Sequence, residues 1–444
     1  MQSLLPIVVL FILFFLNIPI AFALIGSSLF YFVFLNTTMP MEMVIQQFVT
    51  SIESFPYLAV PFFIMVGSTM NYSGISEALM DFANVLVGHT KGGLAQVNCL
   101  LSALMGGISG SANADAAMQS KILVPEMKKK GFSLPFSAAV TAASSAVSPV
   151  IPPGTNLILY AIIAGVPVGT MFLAAYGPGI LMTISLMITV HIIAVRRNYI
   201  PSRENKATAG EIGTQFIKSI WALIIPFGII MGMRLGMFTP TEAGAIAVVF
   251  SLFVGFFIYK KLELKHIPII LKDTVKSTGS VMIIIASAKV FGYYLTLERI
   301  PQIITELLVN MTDSAFVVLM VINLMLLFIG MFIEGGAALV ILAPLLVPAV
   351  KLFGVDPIHF GMIFIVNIMI GGLTPPFGSM MFTVCSIVGV KLEDFIREVW
   401  PFIIALIVVL ILVTYSETIA LFIPKLIEGL PKLFQFIMMK FSGA

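Results

Sequence analysis

The sequence predicts an all-α polytopic membrane protein made of two inverted repeats, each with a re-entrant helical hairpin and a broken transmembrane helix. Three observations lead to this fold class: an apolar composition poor in charge, interruptions within four apolar stretches, and prolines and glycines that recur at one spacing. Of the 444 residues, 59% are hydrophobic and 10% are charged. Soluble domains are about 25% charged. This composition excludes a soluble enzyme and favours helices, which satisfy their own backbone hydrogen bonds in lipid.

A membrane-spanning helix needs about 20 apolar residues, and nine segments reach or nearly reach that length. These spans are predicted at residues 4–34, 57–78, 136–165, 170–196, 216–236, 241–259, 280–298, 358–390 and 400–424. Four short amphipathic stretches are expected to be interfacial helices. Their ranges are 42–54, 267–278, 301–312 and 391–398.

Basic residues are concentrated in a few connecting loops, around residues 91, 128–131, 196–218, 260–276 and 391–397. Cytoplasmic loops carry an excess of lysine and arginine, so these loops are predicted to face the cytoplasm. The tail, residues 425–444, is expected to lie on the outer surface or to contact a partner.

Two further apolar stretches, 92–127 and 315–352, are interrupted near the middle by small or polar residues. Each arm is short for a membrane span. We therefore predict two re-entrant hairpins whose tips lie inside the protein. The tip sequences are Ser109-Gly110-Ser111-Ala112-Asn113 and Glu334-Gly335-Gly336.

Two of the predicted spans contain a double proline, Pro152-Pro153 in the first and Pro375-Pro376 in the second. Proline removes a backbone donor and clashes with the preceding helical turn, so the helix must unwind there. Unwound backbone at membrane depth is tolerated where it lines a polar cavity or is buried in protein. Both segments are therefore predicted to be broken helices beside a functional cavity.

Proline and glycine positions recur with an offset of 223 residues. The pairs are Pro125 and Pro348, Pro152 and Pro375, Pro153 and Pro376, and Gly107 and Gly330. One extra span, 216–236, separates the two copies and brings the chain to the opposite face before the second copy begins. The repeats are therefore predicted to be inverted, a pattern typical of secondary transporters with a site at mid-membrane depth.

The residues at both tips and both breaks are mainly hydroxyls, amides and glycines. Oxygen atoms of this kind, together with freed backbone carbonyls, suit a small hard cation such as Na⁺. The alternative is that small residues merely allow close helix packing. The first tip is expected to face the first break, and their candidates are Ser109, Ser111, Asn113, Asp115, Ser144, Ser145, Ser148, Thr155 and Asn156. The second tip, Glu334 to Gly336, is expected to face Thr374, Ser379 and Thr383.

Four charged residues fall within apolar stretches, where an ionisable group is a functional candidate. Asp115 and Glu334 lie near the tips and are assigned to the site, with fixing of the tip backbone as the alternative. Lys289 is a candidate for attracting an anion or for a structural ion pair. Glu242 is expected to support the start of a helix that is capped by Thr239 or Thr241.

The run Met237-Phe238-Thr239-Pro240-Thr241-Glu242-Ala243-Gly244-Ala245, the first tip up to Asp115 and the two double prolines resemble the large membrane subunit of TRAP transporters. The likeness covers about residues 1–424. It implies Na⁺-driven uptake of an organic acid in the bacterial inner membrane, by an elevator in which a transport domain slides against a scaffold. It also implies two partners, a small four-helix membrane subunit and a periplasmic substrate-binding protein.

The resemblance further implies at least two Na⁺ ions as cofactors. The first Na⁺ site is expected at Ser109, Ser111, Asn113, Ser148, Pro152 and Asn156. The second is expected at Gly335, Gly336, Thr374, Ser379 and Thr383. Substrate contacts are expected at Ser111, Asp115, Ser144, Ser145, Thr155, Asn156, Lys289 and Glu334.

The expected domain organisation alternates scaffold and transport parts. Scaffold parts are expected at 1–80, 171–300 and 391–444, and transport parts at 81–170 and 301–390. Sialic acid is the expected substrate, with C4-dicarboxylates as the alternative. A self-sufficient Na⁺/dicarboxylate symporter and a passive anion channel also remain open. An enzyme is not expected, because the sequence carries no HExxH, P-loop or GxSxG motif.

Overall fold

The computed structural model describes residues 4–426 apart from Asn17, Thr37, Thr38 and Ser54. Regular structure in this part of the chain is helical throughout, with no strand. Seven of its helices are long and apolar enough to cross a membrane. These observations confirm the predicted all-α membrane fold. Of the tail, only residues up to 426 are described, so its predicted surface or partner role falls on residues 427–444, outside the described part.

The helices are numbered in chain order. They are α1 (Leu5–Phe15), α2 (Ile20–Phe30), α3 (Met41–Ile52), α4 (Ala59–Ser73), α5 (Ile75–Val87), α6 (Gly93–Ser109), α7 (Ala112–Lys129), α8 (Leu134–Ser145), α9 (Thr155–Ala164), α10 (Val168–Arg196), α11 (Ala209–Arg234), α12 (Pro240–Phe253), α13 (Ile267–Leu297), α14 (Ile300–Met311), α15 (Ala315–Phe332), α16 (Gly335–Leu352), α17 (Pro357–Gly371), α18 (Ser379–Val388) and α19 (Leu392–Tyr415). The π-helical turns Tyr31–Leu35 and Val254–Ile258 extend α2 and α12, and residues 417–426 are helical as well.

The first two predicted spans are each divided in the structure. Residues 4–34 form two helices that pack against each other. Helix α1 ends before Pro19, and α2 begins directly after it. Residues 57–78 are divided at Gly74, whose φ of +83° ends α4 and starts α5. A left-handed φ is readily adopted by glycine, so this residue permits the sharp change of direction.

Two predicted interfacial helices are instead parts of longer helices. The stretch 267–278 and the span 280–298 form the continuous helix α13, and 391–398 is the first part of α19. Gly279 lies between the two predicted segments of α13, but a single glycine costs a helix only about 1 kcal/mol. The other two predicted interfacial helices correspond to α3 and α14.

The predicted internal repeat has a structural counterpart. Helices α6 to α10 begin at Gly93, Ala112, Leu134, Thr155 and Val168. Helices α15 to α19 begin at Ala315, Gly335, Pro357, Ser379 and Leu392, which are offsets of 222 to 224 residues. Contacts follow the same scheme, since α7 packs against α18 and its counterpart α16 packs against α9. The two copies are therefore interleaved, and their opposite orientation in the membrane stays a prediction.

The arms of the second hairpin are longer than expected. Helices α15 and α16 have 18 residues each and are apolar enough to cross a membrane. The sequence reading of these arms as short for a span is therefore wrong for the second hairpin, because the helix continues to the tip on both sides. Only Ile333 and Glu334 separate the two arms. Re-entrance of either hairpin stays a prediction.

Candidate functional site

A cavity of about 470 Å³ lies where the two hairpin tips meet the two broken helices. The first tip lines it with residues 110–114, and the second tip with residues 333–335. Both breaks contribute, and one side of the cavity is formed by α4 and α13. Of the predicted site residues, the cavity brings together Ser111, Asn113, Thr155, Asn156, Glu334, Gly335 and Ser379.

The first tip is tied to the first break by a hydrogen bond. The Thr155 hydroxyl donates to the Gly110 carbonyl oxygen at 3.1 Å, and Ser111 caps α7 by accepting from the backbone N–H of Ala114 at 3.4 Å. The buried Oδ1 atom of Asn113 has no hydrogen-bond partner among the described residues. Buried oxygens normally have a hydrogen-bond partner, so an unpartnered one is unusual. Oδ1 of Asn113 is therefore available to a cation or to a hydrogen-bond donor. The side chain of Ser109, predicted as a Na⁺ ligand, lies outside the described residues.

The second tip lies close to the first break as well as to the second. A side chain at Gly335 would place its Cβ 3.3 Å from Nδ2 of Asn156, and one at Gly336 would place it 3.6 Å from Oδ1 of the same residue. Glu334 is exposed and makes no capping hydrogen bond with its side chain. Asn156 is 8% exposed, and its amide lies beside the tip of the other repeat.

The second break contributes Gly372, Ser379 and Met380 to the cavity. Two other predicted ligands of this region do not line it. The Thr374 hydroxyl donates to the carbonyl oxygen of Ile370 at 2.7 Å, and the Thr383 hydroxyl donates to that of Ser379 at 2.9 Å. Both hydroxyl groups thus donate within their own chain segment.

The predicted serines of the first broken helix are also away from the cavity. The Ser144 hydroxyl donates to Oδ1 of Asn98 at 2.7 Å, and the Ser145 hydroxyl donates to the Ala142 carbonyl at 2.8 Å. Ser148 and Pro152 are buried within the break and do not line the cavity. Ser144 thus faces α6, whereas the Ser145 hydroxyl also lies 3.5 Å from Sδ of Met380, a cavity-lining residue of α18. Substrate contact at these two serines stays a prediction.

Asp115 is fully buried between helices and does not line the cavity. Its Oδ2 atom accepts hydrogen bonds from the Ser102 hydroxyl and the Gln119 amide, both at 2.8 Å. The structure thus places Asp115 in a contact within the first hairpin, because the helical phase of α7 turns it toward α6, and its substrate contact stays a prediction. The positions 223 residues further on are apolar. They are Met325, Ala338 and Leu342, so the second hairpin packs without this polar cluster.

Lys289 and Glu242 are both outside the cavity. Lys289 is exposed on α13, about two turns beyond Val281, the last residue of that helix that lines the site. Glu242 caps α12, as expected. The Thr239 backbone N–H donates to Oε2 of Glu242 at 2.7 Å, and the Glu242 N–H donates to the Thr239 hydroxyl at 3.3 Å. This confirms Thr239 as the capping residue and gives the run from Met237 to Ala245 a structural role.

The capping box predicts a modest effect on stability. Thr239→Ala should lower the free energy of unfolding by about 1 kcal/mol, because one backbone donor of α12 loses its acceptor. Denaturant titration of the purified protein in mixed micelles measures this change. Thr296→Ala is the matched control, since that exposed hydroxyl bonds only to the Gly292 carbonyl of its own helix. An equal loss in both variants would contradict a special role for the cap.

Five polar or charged side chains at the cavity were missed by the sequence analysis. They are Ser68 and Asn71 on α4 and Asp273, Lys276 and Ser277 on α13. Within each helix these residues are three or four positions apart and so share a face. That spacing indicates a shared polar face and could have predicted these cavity residues. The prediction of an interfacial helix at 267–278 instead placed the α13 residues away from the site.

The cavity offers mainly oxygen atoms as possible ligands. The described residues contain no group of three or more His, Cys, Asp or Glu side chains able to hold a metal ion. Hydroxyl, amide and carbonyl oxygens fit a hard monovalent cation, and the unpartnered Oδ1 of Asn113 supplies one such ligand.

Two interleaved copies of a hairpin and a broken helix, meeting around a polar cavity among apolar helices, define a membrane transport protein. Comparison with known proteins gives the particular family. Residues 7–419 match the family described as "Tripartite ATP-independent periplasmic transporter, DctM component". The chain belongs to this family and is a large permease subunit of a TRAP transporter in the bacterial inner membrane. A tripartite transporter implies two further components, a small membrane subunit and a substrate-binding protein.

Similar chains are named for several substrates. The "Sialic acid TRAP transporter large permease protein SiaM" of Vibrio cholerae is 37% identical over 94% of this chain and 97% of that protein. The "2,3-diketo-L-gulonate TRAP transporter large permease protein YiaN" of Escherichia coli is 36% identical over 93% and 95%. The "C4-dicarboxylate TRAP transporter large permease protein DctM" of Pseudomonas aeruginosa is 36% identical over 86% and 89%. These relatives are permeases and not enzymes, and their names leave the substrate of this chain open.

Solved structures support the fold. The YdaH transporter of Alcanivorax borkumensis has a TM-score of 0.63 at 14% identity, covering 84% of this chain and 88% of that chain. MtrF of Neisseria gonorrhoeae has a TM-score of 0.56, also at 14% identity, covering 85% and 84%. At this level of identity the similarity concerns the fold alone.

Proposed function

We propose that this permease couples the uptake of an organic acid anion to an inward Na⁺ gradient. The observation that carries the proposal is the cavity in which both tips and both breaks present oxygen atoms, with Asn156 of the first repeat beside the tip of the second. A cation bound there would order both tips. A ligand shifts a conformational equilibrium only through its different affinities for the two states, so such a cation favours the state with closed tips.

At least two Na⁺ ions are proposed, one near Asn113 and Asn156 and one at the Gly335–Gly336 tip with the second break. Positive charge at the site reduces the penalty for transferring a carboxylate from water. Transport is proposed to follow an elevator mechanism, in which 81–170 and 301–390 move against the remaining scaffold. A small four-helix membrane subunit and a periplasmic substrate-binding protein are the proposed partners.

Sialic acid is the proposed substrate, and the name of the Vibrio cholerae relative favours it. A C4-dicarboxylate is the second candidate, favoured by the name of the Pseudomonas aeruginosa relative. A self-sufficient symporter and a passive anion channel would use the same cavity without a binding protein or without a gradient, respectively.

The proposal is tested by uptake of labelled sialic acid into proteoliposomes that contain this chain and its small subunit. An inward Na⁺ gradient is compared with an inward K⁺ gradient, with and without the substrate-binding protein. We expect uptake only with Na⁺ and the binding protein together. Uptake with Na⁺ alone would indicate a self-sufficient symporter, and equal flux in K⁺ would refute Na⁺ coupling. Transport of succinate in place of sialic acid would retain the mechanism and change the substrate.

A further inference from the structure

Lys276 is the one basic side chain among the described residues that line the cavity. It lies on the same face of α13 as Asp273 and Ser277, which line the cavity too. Its side chain is exposed, and none of the ion pairs found among the described residues involves it. The ammonium group of Lys276 is therefore available to a negatively charged ligand in the cavity.

The cavity wall that contains Lys276 is formed by helices other than the hairpins and the broken helices. Helix α13 lies outside the two repeated segments and packs mainly against α2, α3 and α4, with a smaller contact to α16 of the second hairpin. Ser111, Asn156 and Glu334 lie on the repeated elements on the other side of the cavity. The basic group and the oxygen-rich tips thus belong to different parts of the molecule.

The position of Lys276 along α13 indicates in which half of the membrane it lies. It is the tenth residue of this 31-residue helix. At 1.5 Å per residue, it lies about 14 Å from the N-terminal end of a helix roughly 46 Å long. That end follows Lys260, Lys261 and Lys265, and the excess of basic residues places it in the cytoplasm. Lys276 therefore faces the cavity from the cytoplasmic half of the protein.

We propose that Lys276 is a positioning residue that holds the organic anion at the cytoplasmic side of the site. The proposal rests on the proposed function. When the transport parts, 81–170 and 301–390, carry the anion to the opposite face, α13 remains in place and the anion loses this contact. Lys276 thus raises affinity for the anion on the cytoplasmic face without changing affinity on the outer face. Asp273, one turn away, limits the attraction and so allows release.

The test compares the two faces with membrane vesicles of opposite orientation. Inside-out vesicles expose the cytoplasmic face, and right-side-out vesicles, supplied with the substrate-binding protein, expose the outer face. The probe is labelled sialic acid, with succinate in parallel, and the small subunit is co-expressed. The variants are Lys276→Gln and Lys276→Arg, with Lys272→Gln as the matched control, because Lys272 is exposed on α13 but does not line the cavity.

In Lys276→Gln we expect the half-saturating anion concentration to rise roughly tenfold on the cytoplasmic face, the scale of one partly screened charge pair. The value for the outer face should not change, and Lys276→Arg should retain the wild-type value on both faces. The difference between wild type and Lys276→Gln should also shrink as choline chloride is added, because salt screens an exposed charge.

An unchanged cytoplasmic value in Lys276→Gln would overturn the proposal. So would an equal rise on both faces, which would indicate a general structural defect, or an equal rise in Lys272→Gln. Na⁺-independent flux in the wild-type protein would instead contradict the proposed coupling and would leave the comparison of the two faces valid.

Discussion

Asn156→Ala is expected to lower Na⁺-driven uptake by roughly a hundredfold, the upper range for losing a group that supports a bound ion. Asn156 is 8% exposed, lines the cavity and lies beside both glycines of the second tip. Its replacement removes the amide that lies between the first break and the tip of the second hairpin. The initial rate of uptake into proteoliposomes, as a function of Na⁺ concentration, measures the effect. The half-saturating Na⁺ concentration should rise, because an ion-supporting group is lost.

Asn310→Ala is the matched control, since Asn310 is exposed on α14 and does not line the cavity. Both variants should elute as monodisperse protein with the small subunit. A normal Na⁺ dependence in Asn156→Ala would contradict the role assigned to this amide. Loss of uptake in both variants would point to a general defect.

Gly371→Ala is expected to lower the free energy of unfolding by about 1–3 kcal/mol, the usual range for overpacking. A Cβ at this position would lie 2.7 Å from the backbone Cα and carbonyl carbon of Gly330. Backbone atoms of α15 and α17 cannot move aside as a flexible side chain would. The contact lies just before the second break, so uptake should also fall. Thermal unfolding in detergent and proteoliposome uptake together measure these effects.

Gly292→Ala provides the control, because a Cβ at Gly292 in α13 would meet no atom within 4 Å. Alanine favours a helix over glycine by about 1 kcal/mol, so this variant should be neutral or slightly stabilised. Wild-type stability in Gly371→Ala would show that α15 and α17 can separate without penalty.

The sequence predicted the elements of this fold that depend on local chemistry. Double prolines interrupt a helix and glycines permit a tight turn, so the breaks at Pro152 and Pro375 and the tips at Gly110 and Gly335 were found. The capping box at Thr239 is local as well. The predicted boundary between 267–278 and 280–298 was wrong, because the single glycine between them, Gly279, does not interrupt α13.

The site was predicted in part, because a tip position does not reveal which face of its helix meets the cavity. Ser111 and Asn113 line the cavity, whereas Asp115 turns toward α6, where its Oδ2 atom accepts from Ser102 and Gln119. That difference depends on how α6 packs against α7. Lys276 was missed for a related reason, since its place at the cavity follows from tertiary contacts of α13 with α4.

The described α-helices range from ten to 31 residues in length, which affects the response of the protein to the lipid around it. Helices α9 and α18 have ten residues each, about 15 Å, or half of a hydrocarbon core about 30 Å thick. Helices α10 and α13, with 29 and 31 residues, exceed that thickness and can tilt when it changes. A cell that alters its acyl-chain length should therefore change the tilt of the long helices first. The depth of Thr155 and Ser379, where the short helices begin, should be preserved.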